Sequence, residues 1–249
     1  LINEPRFMAV SHGAFSSSES YAFMTTNDGT LALFNSNRAE KRASWMRVVT
    51  DGEFHAVCAV HERTFALITE ASPTGTSTVK LCEFAGEIGL DQYVSGTIDG
   101  DGYLDVSDRY AIGDTVDVVS DDGTQHYGQF TVVAGPAPSN TPSVYFANIN
   151  SVGAHAGLAF EAKIESNPVD AALGYGPSTG DIRGISTVVL DLVNTESVKV
   201  NERNIQLPDA FSGKKEYRLL GYSRDPIVTI SQNEPLPLQV NGFVSEVIV

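Results

Sequence analysis

The sequence is poor in residues that staple a fold, anchor it in lipid or carry positive charge. Its 249 residues include two cysteines, Cys58 and Cys82, too few for the disulfide framework of a small secreted scaffold. Both lie in apolar, strand-like runs, HAVCAV and VKLCEF. A buried thiol acting as a small hydrophobe is the expected state, and a bridge between neighbouring strands stays open at this stage. No apolar run approaches the roughly 18 residues that a membrane-spanning helix needs, so no membrane insertion is expected. Lys and Arg number 16 against 31 Asp and Glu, a net charge of −15. That balance repels phosphate backbones and argues against sequence-specific DNA binding, while favouring solubility at high local concentration. Tryptophan occurs once, as Trp45 between apolar strand residues. It is expected to pack in a core or across a hairpin rather than in a clustered platform for sugars.

The familiar catalytic spacings are missing too. The histidines are His12, His55, His61, His126 and His155, and no two form an HExxH or HxH pair. His55 and His61 flank the run AVCAV; in a regular strand their even spacing puts them on one face and Cys58 on the other. No GxSxG elbow occurs, so Ser16, Ser17 and Ser18 in FSSSES are read as a polar turn. The glycines of GYGPSTGD lack the Lys and the following helix of a phosphate cradle and are read as a loop. Acids such as Glu161, Glu165 and Asp170 are plentiful, but nothing pairs a raised-pKa acid with an ionised partner. The expectation is no catalytic residue and no cofactor.

What the sequence does have is β pattern. Hydrophobic residues make up 42%, enough for a packed core. Short apolar runs recur roughly every ten residues with turn signals between them, the spacing of sandwiches, barrels and propellers. YAFMTT and TLALFN flank Asn27-Asp28-Gly29, and DTVDVVS runs into Asp121-Asp122-Gly123 before QFTVV; both are hairpin signals. Residues 36–43 fit either a helical turn or a charged hairpin loop. The ending PIVTISQNEPLPLQVNGFVSEVIV is broken by Pro235 and Pro237, which cannot donate to a central ladder, so a kinked connection between two strands is expected. The class is all-β. Three regions are expected: 1–89 as β-hairpin sheets, 90–157 as a small inserted β-barrel-like module, and 158–249 as a C-terminal sheet region completing the first domain. The start at LINEPRF, without Met, suggests a piece of a longer protein.

One stretch invites a metal. In TIDGDGYLDVSD, Asp99, Asp101, Asp105 and Asp108 approximate the spacing of a calcium loop, with Leu104 at its apolar position. Thr97 replaces the first ligand, Asp108 replaces the closing Glu, and the flanks read as strands rather than helices. The alternative is a hairpin, VSGTI and YLDVS joined by a turn at Asp99-Gly100-Asp101-Gly102, with glycine supplying the positive φ angles.

Several pieces taken in order resemble the tail nozzle proteins of short-tailed bacteriophages, the tail tubular protein B and phage stabilisation type. They are NDGTLALF…SWMRVVTDGEFHAVCAV, the module containing GDTVDVVSDDG, AGLAFEAKIESNPV, VLDLVNTESVKV, and the terminal run with Asp225-Pro226, IVTISQ and Pro235-Leu236-Pro237-Leu238. The resemblance is to the C-terminal portion of such proteins. It implies propeller-like antiparallel sheets with an inserted module, in a non-enzymatic virion protein assembled in the host cytoplasm. Implied partners are copies of itself in a ring, usually six, a tail adaptor, tail fibres, and double-stranded DNA passing without sequence-specific contacts. An acidic lumen would let that duplex slide. The rival expectation is a receptor- or carbohydrate-binding β-module that uses calcium in the acidic loop.

Overall fold

The computed structural model describes residues 4–12, 20–37, 42–61, 63–70, 77–84, 88–168, 172–173, 176–177, 182–208, 210–219 and 221–248. Every regular element among them is a β-strand, and every ladder is antiparallel. No described helix is long and apolar enough to cross a membrane. The chain divides into two compact units, Leu1–Glu87 and Ile88–Val249.

The first unit is built from local meanders. Strands β1 (Pro5–His12), β2 (Ser20–Thr26), β3 (Leu31–Asn37) and β4 (Arg42–Val48) pair in sequence order. Strands β5 (Gly52–Val60), β6 (Arg63–Glu70) and β7 (Thr78–Glu83) form a second sheet. Alternation in YAFMT and LALF sends Tyr21, Phe23, Leu31 and Leu33 to one face, where they meet Phe54, Val57, Ala66 and Ile68 of the second sheet. Phe84 joins this core, its ring 5.5 Å from that of Phe23. Asn37 pairs with Arg42, so strands frame residues 36–43 as a hairpin; 38–41 lie outside the described residues.

The second unit holds two cores. Strands β8 (Leu90–Thr97), β9 (Tyr103–Asp105), β10 (Thr115–Ser120), β11 (His126–Thr131), β12 (Val133–Ala134), β13 (Pro142–Tyr145) and β14 (Gly153–Ala159) form the module. Its sheets run β11-β10-β14-β8 and β12-β13-β9. Both feed one cluster that includes Leu104, Val116, Val118, Val144, Phe146 and Ala156. These are two open sheets rather than the expected barrel; no closed barrel occurs among the described residues.

Beyond the module come β15 (Ala162–Glu165), β16 (Ala172–Leu173), β17 (Gly176–Pro177), β18 (Arg183–Thr195), β19 (Val198–Val200), β20 (Arg203–Ile205), β21 (Phe211–Arg218), β22 (Tyr222–Ser223), β23 (Thr229–Gln232) and β24 (Val240–Ile248). One sheet runs β15-β23-β19-β20, and in another β18 pairs with β21, β22 and β24. Val188, Leu190 and Leu192 of β18 pack with Val198, Val200 and Ile230 from the other sheet. Strands β15 to β24 thus pair among themselves, Leu158 and Ala159 pair with β8, and all of them cluster in the second unit rather than with the first 87 residues as the sequence suggested. The proline-broken ending is a connection between sheets: β23 and β24 belong to different ones, and the Pro237 carbonyl accepts from Glu196 N at 3.1 Å.

The same five-residue turn closes a hairpin in each unit. In Thr26-Asn27-Asp28-Gly29-Thr30, Asp28 Oδ1 accepts from the Thr26 and Thr30 hydroxyls at 2.5 and 2.9 Å. In Ser120-Asp121-Asp122-Gly123-Thr124, Asp122 Oδ1 accepts from the Ser120 and Thr124 hydroxyls at 2.5 and 2.9 Å. Gly29 and Gly123 take φ of 76° and 70°, whereas the two residues before each do not have positive φ; this is a type I turn followed by a left-handed glycine, the G1-bulge form of hairpin closure. Hydroxyl donors hold both carboxyls below the ordinary carboxylate range: Thr26 first for Asp28, Ser120 first for Asp122. A depressed folded pKa contributes stability above the unfolded value, near 4, which is lost as pH falls through the folded value. The double variant Asp28→Ala, Asp122→Ala is therefore expected to melt lower at pH 7 and to lose less of its melting temperature between pH 5 and about 2. Circular-dichroism melts across that range check this; parallel pH curves would count against it.

Candidate functional site

The acidic stretch becomes a corner. Asp99 Oδ1 accepts from Asp101 N at 2.9 Å and Tyr103 N at 2.8 Å. Asp105 Oδ1 accepts from Ser107 N at 2.9 Å. These carboxylates cap turn amides, the local bonding that favours Asp in loops. No group of three His, Cys, Asp or Glu arranged to hold a metal occurs among the described residues, and Asp99, Asp101, Asp105 and Asp108 do not converge. The hairpin expectation is half right. The turn is closed by Asp99 N to Tyr103 O at 2.8 Å and Gly102 N to Asp99 O at 3.2 Å. Its flanking strands nevertheless part: β8 pairs with β14 and β9 with β13. Of its two glycines, Gly102 has positive φ, 86°, and Gly100 does not. The segment carries the chain from one sheet of the module to the other.

The histidine and cysteine expectations change with the ladder. The β5–β6 register shifts between Phe54 and Ala56, leaving His55 as the extra residue of a bulge. This lets Phe54 and Val57, an odd spacing apart, face the same core. His61 sits in the β5–β6 turn with φ of 55°. The two histidines therefore do not share a regular strand face, and His55 Nε2 pairs with the Thr69 hydroxyl. Cys58 lies opposite Phe65 and is exposed, whereas Cys82 lies opposite Ala66 on the core side. With β6 between them and their side chains on opposite faces, they do not form a disulfide. The buried-thiol expectation fails for Cys58 because the bulge resets which positions point inward. Trp45 is 45% exposed, so it is not a core residue; it packs across the hairpin on Phe34, with ring centroids 4.7 Å apart.

The remaining singled-out groups stay apart. Glu165 pairs with Lys163 at 3.0 Å, and Glu161 is exposed. Ser16 to Ser18, Asp170 and most of GYGPSTGD lie outside the described residues. An open cleft of about 470 Å³ is lined by Thr187, Glu216, Arg218, Tyr222 and Glu246. Arg218 and Glu246 both lie opposite Thr187 on flanking strands, so its charges are of both signs.

Sequence reading missed one constellation, on the outer face of the module. His126, Val119, His155 and Ser95 stand in a cross-strand row. Asp117 Oδ1 bonds His126 Nε2 at 2.9 Å. His155 Nε2 lies 3.0 Å from the Asp121 carbonyl. A carbonyl only accepts, so Nε2 carries the hydrogen. In neutral His155, Nδ1 then accepts from Ser95 Oγ at 2.8 Å. This has the connectivity of a nucleophile, a base and an orienting group. Yet Ser95, itself exposed, sits in mid-strand, without the sharp strand-to-helix turn that presents a serine nucleophile. The ladder joins residues 60 apart in the chain, and no local spacing signals such a pair.

The architecture defines an all-β protein of several antiparallel sheets. No family model matches the chain, and a search of curated proteins returns no match.

Proposed function

We propose that the chain is a structural subunit, or part of one, of a phage tail nozzle, a ring around the channel through which DNA leaves the virion. The observation that carries this reading is the pair of consecutive meander sheets in the first unit, packed face to face like successive propeller blades. The resemblance in the order of sequence blocks supports it. The net charge of −15 suits a channel wall that must not hold the duplex by counterion release. In this reading the module at 90–159 projects from the ring, and the acidic corner re-aims the chain within it. The work is done by sheet burial and shape.

Particles of the phage that encodes the protein test this directly. Immunogold labelling is expected at the distal end of the tail, and reconstruction of the tail is expected to place several copies around a central channel. Absence of the protein from purified particles would sink the proposal.

A further inference from the structure

An antiparallel sheet with one wet face alternates apolar and polar residues. The sheets of the first unit do not. On the side of the β1–β4 sheet away from the core, Val10, Ala22, Phe34 and Trp45 stand directly opposite one another across four strands. The adjacent row is Met8, Met24, Ala32 and Arg47. Met8 is 66% exposed and Val10 49%. The β5–β7 sheet repeats the pattern on its own far side. Leu67 lies opposite Leu81, between Phe65 and Val79 in the neighbouring rows, and Val79 and Leu81 are 62% and 68% exposed. The unit thus has one apolar face inside and one on each outer side.

Contiguous apolar faces of this kind mark interaction surfaces. The partner that fits a broad, side-chain-studded sheet face is another such face, as the interior of this unit already demonstrates. The charges differ in sign: the first far face carries the cation Arg47, and the second carries the carboxylates Glu53 and Glu83, the latter paired with Arg63. Pairing two first faces brings an Arg47 from each copy into one contact, whereas first on second brings opposite charges together.

We infer that the far face of the β1–β4 sheet in one copy stacks on the far face of the β5–β7 sheet in a second copy, so that chains associate head to tail. Such a heterologous contact closes into a ring when the rotation between copies permits it. The inference rests on the nozzle reading and names the surface that reading needs.

Native mass spectrometry and light scattering across a concentration series test it with two variants, Trp45→Glu and Leu81→Glu. Each removes a different face. Each variant alone is expected to associate at least about thirty-fold more weakly than the wild-type chain. An equal mixture of the two is expected to give a complex of two copies and no larger species, because one intact face of each kind remains. A Leu81→Glu variant that still dimerises while Trp45→Glu does not would show like-on-like pairing and overturn the inference, as would a wild-type chain that stays monomeric throughout. Both positions are exposed, so the β-sheet dichroism and melt should persist; if either variant loses its melt, Met8→Glu or Val79→Glu replaces it. Failure of the mixing result leaves the nozzle reading standing as long as the protein is found in the tail, and absence from particles removes that reading whatever the mixture shows.

Discussion

Gly102→Ala is expected to destabilise the module by about 3 kcal/mol, while Gly100→Ala, two residues earlier in the same turn, changes stability by less than about 0.5 kcal/mol. Gly102 has a φ of 86°, a conformation that costs an L side chain about 1–2 kcal/mol. A Cβ there would also lie 2.2 Å from the Phe146 carbonyl oxygen. That contact is with backbone and cannot be relieved by a rotamer change. Gly102 O accepts from Phe146 N at 2.7 Å, so the neighbour cannot retreat without loss of that bond. Phe146 is 4% exposed and its ring lies 4.6 Å from that of Phe130 in the core. Moving it disturbs packing at a further cost of about 1–3 kcal/mol. A Cβ on Gly100 would meet nothing within 4 Å, and surface changes of that kind are nearly neutral. For a unit of this size the Gly102 variant should melt about 6–12 °C lower. Equal melting temperatures for the two variants would refute the account of the corner.

Phe23→Ala is the largest single loss expected in the first unit, about 3–5 kcal/mol. Phe23 is fully buried and stands where the two sheets meet, with neighbouring rings from Tyr21 and Phe84 at 6.4 and 5.5 Å. Truncation leaves a cavity lined by strands tied into ladders, which cannot collapse to fill it. Phe7→Ala, at a position 55% exposed in the same sheet, is the control and should cost less than about 1 kcal/mol. Urea titration of both variants decides the matter. Similar losses would mean that the core does not lie between the sheets.

Local features were legible in the sequence. Asn27-Asp28-Gly29 and Asp121-Asp122-Gly123 each close the hairpin they suggest, because a turn's requirements are met within a few residues. The prolines at 235 and 237 correctly mark a break between β23 and β24. What could not be read were pairings across distance. The run through Asp99 to Asp105 looks like a hairpin from either flank, and only the ladders to β13 and β14 show that its arms separate. The bulge at His55 leaves no compositional mark, yet it inverts the facing of every later residue in β5 and so turns Cys58 outward. The row from His126 to Ser95 exists because four strands are brought into register, and its two histidines and Ser95 lie far from one another in sequence.

The parting of β8 from β9 also sets a timetable. In the first unit each strand pairs with its sequence neighbour within its sheet, so loop closure is cheap and structure can form as the chain emerges from the ribosome. In the module, Thr97 must wait for Gly153 and Asp105 for Ser143. Later still, Gly184 at the head of β18 waits for Ile248. Folding during synthesis therefore proceeds from the first unit toward the second, and β18, the longest of the described strands, keeps an open edge until β24 has been made.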